Sequence, residues 1–339
     1  KSSTSHRQVI HEIGNMSVAA YIAALIDSPI IEVLPGTGTF APPPTNSNDT
    51  TTTAATTSTI SFVSPIETFT SEGLELIALH NPHLLSAAAR ERVFELTIPY
   101  TALAFSSAHL KNDDLSTMSA EDRQDHLDHT FGGDGIIFLL AKTTTTTNAN
   151  VDSSNDGGSS QSSPSSSSSP PPRLCAHLNA SFVTLNLPVE QEQGPVIYIH
   201  GVCCDPSLQG CGLVKKIFTA TVRSLRPKAR YLTLRTMNVA VVKLMGMACA
   251  AADGTPAPVY PVDTFDPASR PDVVAVAEGL STLLGWTGLQ SDRLVIPKGY
   301  PPFLIPVFRG ALRGGVLEEK VDRLIDRDAG DALCCVTDL

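Results

Sequence analysis

The 339-residue chain sets 24 Lys and Arg against 34 Asp and Glu, a formal net charge of −10 at pH 7, with no long run of either sign. That balance argues against a nucleic-acid binder, which needs a basic stripe or patch. No stretch has the length and purity of a membrane span: Ser17–Leu34 contains Asp27 and Val239–Ala252 contains Lys243.

The chain opens on Lys1, as a fragment or a processed protein would, and shows no basic-then-apolar signal-peptide order. Its seven cysteines, Cys175, Cys203, Cys204, Cys211, Cys249, Cys334 and Cys335, lack CxxC or Cys/His ligand spacing. Reduced, mostly buried thiols in an intracellular, cytoplasmic protein without a metal site are expected.

Residues 1–40 form an N-terminal helical and extended segment. Val18, Ile22, Leu25 and Ile26 recur at helical spacing, and Ile30–Leu34 is extended up to Pro35-Gly36. Residues 41–59 are a Pro/Thr/Asn/Ser tract and 143–172 a Ser/Thr/Pro tract. Both bury too little to offset their ordering entropy and are expected to be disordered insertions. Residues 60–142 carry helices over Gly73–Leu85, Ala87–Leu96 and Ser119–Phe131, the last capped by Ser119 with Asp122, then a strand over Gly135–Lys142. His126 and His129 stand at i, i+3 on the charged helix and read as a solvated face, since a metal site needs a third ligand.

Residues 173–339 hold the rest. Strands are expected over Leu174–Leu187, Val196–Cys204, Arg230–Thr236, Arg293–Pro297 and Phe303–Phe308, and helices over Leu213–Leu225, Val239–Ala252, Asp272–Leu284 and Leu317–Ile325. Asp253–Pro271 is a Pro-rich connection. Strands and helices mixed in this order give an α/β or α+β layered fold.

Chemistry concentrates in Pro195–Leu225. An apolar run, Val196–Cys204, is broken by Asp205-Pro206-Ser207, and Gln209-Gly210-Cys211-Gly212 then opens a helix whose apolar stripe is Leu213, Ile217, Ala220, Val222 and Leu225. The first N–H groups of a helix have no partner inside it and its dipole is positive there, so a strand–glycine loop–helix unit suits a phosphate or pyrophosphate. An ordinary tight turn is the alternative. The P-loop GxxxxGK[ST] and the dinucleotide GxGxxG are both absent, and Arg235 sits where the latter would need an acid.

Val202-Cys203-Cys204-Asp205-Pro206-Ser207-Leu208-Gln209-Gly210-Cys211-Gly212-Leu213 resembles the acyl-CoA motif of the GNAT N-acetyltransferase superfamily, an apolar strand followed by Q/R-x-x-G-x-G/A. Gln209 and Gly212 match, while Val214 stands where Gly or Ala is usual. Arg230–Thr236 with Asn238 resembles the next family block, and RYLTLRTMN looks like a segment of a mostly fungal branch. The resemblance spans about Val196–Met247. It implies a central mixed, mostly antiparallel sheet flanked by helices, with Gly135–Lys142 and Leu174–Leu187 as consecutive antiparallel strands whose hairpin turn is replaced by the Ser-rich tract. It also implies acetyl-CoA as co-substrate. Main-chain groups of Val202, Cys203 and Cys204 would meet the thioester and pantetheine arm. The loop Gln209, Gly210, Cys211, Gly212, Leu213 and Val214 would meet the pyrophosphate, with Asn238 nearby. A small-molecule or peptide amine would be the acceptor.

Strand alternation puts Tyr198, His200 and Val202 on one side, and Cys203 on the other. An imidazole titrates near neutral pH, so His200 is the expected general base and Tyr198 its polar partner; a satisfied, half-buried histidine is the alternative. Many family members place a Tyr, the general acid for the leaving thiolate, where this chain has Met245. Two rivals stay open: a His200–Cys203 or His200–Cys204 nucleophile pair, and a GNAT-like acyl-CoA-binding or regulatory protein without catalysis.

Overall fold

The computed structural model describes residues 31–32, 59–62, 74–80, 82–104, 119–121, 123–124, 127, 135–142, 173–185, 195–226, 229–300 and 315–339. Outside them lie Val18–Ile26, His126 and His129, the strand expected at Phe303–Phe308, and both low-complexity tracts apart from Thr59.

Nine strands form one sheet among the described residues: β1 (Ile31–Glu32), β2 (Thr59–Phe62), β3 (Leu74–His80), β4 (Gly135–Lys142), β5 (Arg173–Val183), β6 (Val196–Cys204), β7 (Tyr231–Thr236), β8 (Val295–Ile296) and β9 (Ala332–Asp338). Their spatial order is β1-β2-β3-β4-β5-β6-β7-β9-β8. Only β1/β2 and β6/β7 are parallel pairs; the other six pairs are antiparallel. The helices are α1 (Ala87–Ala104), α2 (Leu213–Leu225), α3 (Val239–Ala248), α4 (Pro271–Leu283) and α5 (Val316–Leu324). The fold is therefore a mixed, mostly antiparallel sheet flanked by helices. No helix among the described residues is long and apolar enough to cross a membrane.

The sheet's central strands are buried on both faces. On one, Val93, Phe94 and Ile98 of α1 pack on Ile77, Leu79, Ile137 and Leu139. On the other, Ile217 and Phe218 of α2 join Leu76, Ala78, Phe138, Leu140, Ala176 and Leu178. Strands covered on both sides read as continuous apolar runs rather than alternating ones.

That double burial explains two differences from expectation. Gly73–Leu85, rich in Leu, was expected to be helical; instead Leu74–His80 is β3, hydrogen-bonded between β2 and β4. Pairing on both edges and packing on both faces override local propensity. The C-terminal β9, whose Ala332–Val336 are all buried, inserts between β7 and β8 and had no sequence signal beyond a short apolar run. Helix α1 runs past the expected Leu96 and through Pro99. The Thr97 hydroxyl, bonded to the Val93 carbonyl at 3.0 Å, and the Tyr100 hydroxyl, bonded to the Leu174 carbonyl at 2.7 Å, fasten this last part.

Helix α4 covers β7 and β9 through a polar clamp. Arg270 donates to Asp272 at 3.0 and 2.9 Å and to Asp338 at 3.0 Å, and the Tyr231 hydroxyl donates to Asp272 at 2.7 Å. The Arg270 bond, aided by Tyr231, holds the Asp272 carboxyl down at about 2, below its ordinary 3.8. A carboxyl with a depressed folded-state pKa lends stability that is complete above its unfolded value and is lost as pH falls through the folded value. The clamp should therefore weaken between about pH 4 and pH 2. Urea midpoints across that window should fall more steeply for the wild type than for Asp272→Asn; equal slopes would show that the clamp does not contribute.

Candidate functional site

Strands β6 and β7 run in parallel register from Val196↔Tyr231 to Ile199↔Leu234, and there the pairing stops. Beyond that point β7 stays with β9 as far as Thr236↔Leu333, while β6 stays with β5 as far as Cys204↔Ala176. The two central strands thus part, and one edge of His200–Cys204 faces a gap. The Thr233 hydroxyl closes the apex, donating to the Ile197 carbonyl at 3.0 Å.

A β-bulge sits at the parting. Ala180 pairs with Ile199 and Asn179 with Gly201, so His200 is the extra residue on β6. A bulge shifts the alternation by one. Val202 therefore pairs with Leu178 and packs on the α2-side core, while Cys203 pairs with His177. The expected grouping of Tyr198, His200 and Val202 on one side is corrected: Tyr198 and His200 share a side and Val202 does not. Cys203, expected on the opposite side, faces the same way as Ser181 and Tyr198.

Ser181 lies directly across from Tyr198, and its Oγ is 2.8 Å from Nε2 of the partly buried His200. The Tyr198 ring meets the His200 ring edge to face, with centroids 4.7 Å apart. Tyr198 is buried; burial pushes its phenol pKa well up, with Arg235 opposing, so it stays protonated at neutral pH. Beside it opens a cavity of about 330 Å³, whose walls include Tyr198, Arg235, Trp286, Ile296 and Lys298.

Strand β6 ends in a tight turn. The buried Asp205 takes the Ser207 N–H at 2.8 Å and the Ser207 hydroxyl at 2.6 Å, and its own N–H donates to the Cys175 carbonyl at 2.8 Å. Gln209, Gly210, Cys211 and Gly212 follow, all exposed, and the buried Leu213 starts α2. Gly210 and Gly212 have φ of 85° and 76°, a left-handed backbone that suits Gly, with nothing within 4 Å of where a Cβ would stand. No side chain caps the start of α2, which follows the exposed loop.

Asn238, expected near the cofactor, is the N-cap of α3, and its Oδ1 accepts the Ala240 N–H at 2.9 Å. Met245 is fully buried in the core. Among the described residues no three His, Cys, Asp or Glu gather as metal ligands.

No family model matches the chain, and no curated protein matches its sequence. Solved structures do match part of it. An aminoglycoside acetyltransferase from an uncultured soil metagenomic sample, solved with sisomicin, is similar over 50% of this chain and 79% of its own at 16% identity and a TM-score of 0.27. A protein of Enterococcus faecalis described as a probable N-acyltransferase is similar over 46% of this chain and 30% of its own, at 14% identity and a TM-score of 0.29. Arabidopsis thaliana NAA60, solved with acetyl-CoA, is similar over 38% of this chain and 66% of its own, at 16% identity and a TM-score of 0.23.

Four site residues escaped the sequence. Ser181 depends on strand register, and Arg235, Trp286 and Lys298 come from β7 and from two later connections. Of the four, only Arg235 figures in the sequence reading, as a residue that excludes the dinucleotide fingerprint.

Burial answers the Cys203 half of the cysteine-nucleophile rival; Cys204 is only partly buried, its thiol pKa is raised by burial and by Asp205, and its pairing with Ala176 puts it on the face away from Ser181 and His200. Cys203 is buried and its thiol pKa is pushed up to about 12, only partly offset by a hydrogen bond with Thr101, so no thiolate forms near neutral pH. Cys211 is exposed. Brief alkylation with iodoacetamide at pH 8, read by peptide mass spectrometry, should modify Cys211 and spare Cys203; early modification of Cys203 would contradict this burial.

Proposed function

We propose that the chain is an acyl-CoA-dependent N-acyltransferase that moves an acetyl group from acetyl-CoA to an amine. The observation that carries the proposal is the parting of β6 from β7 after Ile199, on a strand that leads directly into the glycine loop and α2. A parted strand edge offers main-chain donors and acceptors to an extended ligand, much as a neighbouring strand would.

On this proposal the N–H groups of Gln209–Val214 hold the pyrophosphate of CoA. Main-chain groups of Val202 and Cys204 hold the pantetheine arm in the gap. The thioester then lies beside His200, and the amine approaches from the Tyr198 side. Attack forms the C–N bond and breaks the C–S bond, and on this proposal the Nε2–H of His200 donates to Ser181 Oγ while Nδ1 takes the amine's proton. The buried Met245 offers no proton to sulfur, so CoA leaves as a thiolate, which the low basicity of a thiol, with a pKa of about 8.5, permits. Tyr198, a protonated phenol, packs His200 in place and walls the acceptor cavity.

Two variants separate binding from chemistry. Gly212→Asp puts a carboxylate at the helix start and should weaken acetyl-CoA binding, by calorimetry, by up to about 30-fold, since charge at a helix N-terminus is worth up to ~2 kcal/mol. His200→Ala should keep acetyl-CoA binding and lower the rate of free-thiol release by roughly 10²–10⁴-fold, the usual loss for a general base. Unchanged affinity in folded Gly212→Asp would move the cofactor site elsewhere. A normal rate in His200→Ala would clear His200 as base. Tight acetyl-CoA binding with no turnover on any amine would favour a binding protein without catalysis, the alternative that Met245 supports.

A further inference from the structure

The cavity beside Tyr198 is electrically at odds with the rest of the molecule. The chain carries a net charge of −10, yet the cavity's described lining contains two cations, Arg235 and Lys298, and no Asp or Glu. Arg235 is partly buried and sits between two rings, its guanidinium carbon 4.9 Å from the Tyr300 centroid and 5.9 Å from that of Trp286. Both distances are within cation–π reach.

Two other partly buried arginines, Arg270 and Arg327, are neutralised. Arg270 holds Asp272 and Asp338, and Arg327 holds Glu318 and Asp322. Arg235 has no carboxylate partner among the described residues. Taking a guanidinium partly out of water without a counter-charge is costly, and its flat fork matches a carboxylate. Lys298 adds a second positive charge at the rim. Its backbone is set at φ 51°, and its N–H donates to Asp331 at 3.0 Å, which fixes where the side chain starts.

We propose that this cavity binds a carboxylate on Arg235, with Lys298 reinforcing it, and that the acceptor is a small amine that also carries a carboxylate, of amino-acid size. The acceptor half of the proposal rests on the acyl-transfer reading above; the anion site does not. Tyr198 joins the two halves, since its ring walls the cavity and touches His200. A molecule with its carboxylate on Arg235 and its amine beyond Tyr198 would present nitrogen to His200. The volume of about 330 Å³ suits a ligand of this size. The net charge of the chain would by itself suggest a cationic acceptor; the local charge points the other way.

Trp286 is the chain's single tryptophan and forms a wall of the cavity, so its fluorescence reports occupancy without any turnover. The full chain without CoA is titrated with L-leucine, L-leucinamide and 3-methylbutylamine. L-Leucine should shift Trp286 emission saturably, at concentrations about 10–100-fold lower than the two uncharged-tail analogues, the range expected for a hydrogen bond to a charged group. Arg235→Gln should erase that preference, Arg235→Lys should keep part of it, and Lys298→Gln, at an exposed position, should reduce it less. The anion site is overturned if acid and amide titrate alike, if none of the three perturbs Trp286, or if the preference survives in Arg235→Gln. If the preference holds but acetyl-CoA yields no free thiol with any amine, the acyl-transfer reading fails and the anion site stands. If L-leucine is acetylated with the same kcat/KM in Arg235→Gln as in the wild type, acyl transfer stands and the anion site fails.

Discussion

The loss of parallel pairing between β6 and β7 after Ile199↔Leu234 is the constraint on which the site depends. Each of these strands keeps its other neighbour, β5 and β9 respectively, so the sheet stays intact on both sides of the gap. Unpaired backbone groups inside a protein are costly, and a continuous sheet would have closed this edge. It stays open because β6, bulged at His200, continues along β5 while β7 continues along β9. The Thr233–Ile197 bond lies just before the point where pairing ends.

The bulge does a second thing. It turns Val202 toward the α2 side and leaves Tyr198, Ser181 and His200 on the α1 side, so the two sides of the gap differ in chemistry. Toward α2 lie the exposed glycine loop and uncapped helix start, suited to phosphate. Toward Tyr198 lie an imidazole, a protonated phenol and the Arg235 cavity, suited to a polar acceptor. On the proposed function, donor and acceptor therefore meet through the sheet rather than along one surface. The Asp205 turn sets the glycine loop at the end of β6 by bonding back to Cys175 of β5.

Much of this was legible in sequence because it is local. The strand Val196–Cys204, the break at Asp205-Pro206 and the helix Leu213–Leu225 appear at the expected bounds, since propensity, turn chemistry and helical spacing agree there. Strands β4 and β7 and helices α4 and α5 were readable for the same reason. What failed was non-local. Leu74–His80 looks helical until β2 and β4 flank it, and Ala332–Asp338 becomes a strand only because β7 and β8 need a partner. Which residues face His200 depends on a one-residue bulge, invisible to period-two counting. Arg235, Trp286 and Lys298 meet only once α4 and β8 are folded over the end of β7.

The most direct measurement is a crystal structure of the chain with acetyl-CoA. The thioester should lie between β6 and β7 beyond Ile199, its pyrophosphate within hydrogen-bond distance of N–H groups from Gln209 to Val214, and its acyl carbon beside His200. Acetyl-CoA on another surface, or β6 and β7 paired without interruption past Ile199, would contradict the account.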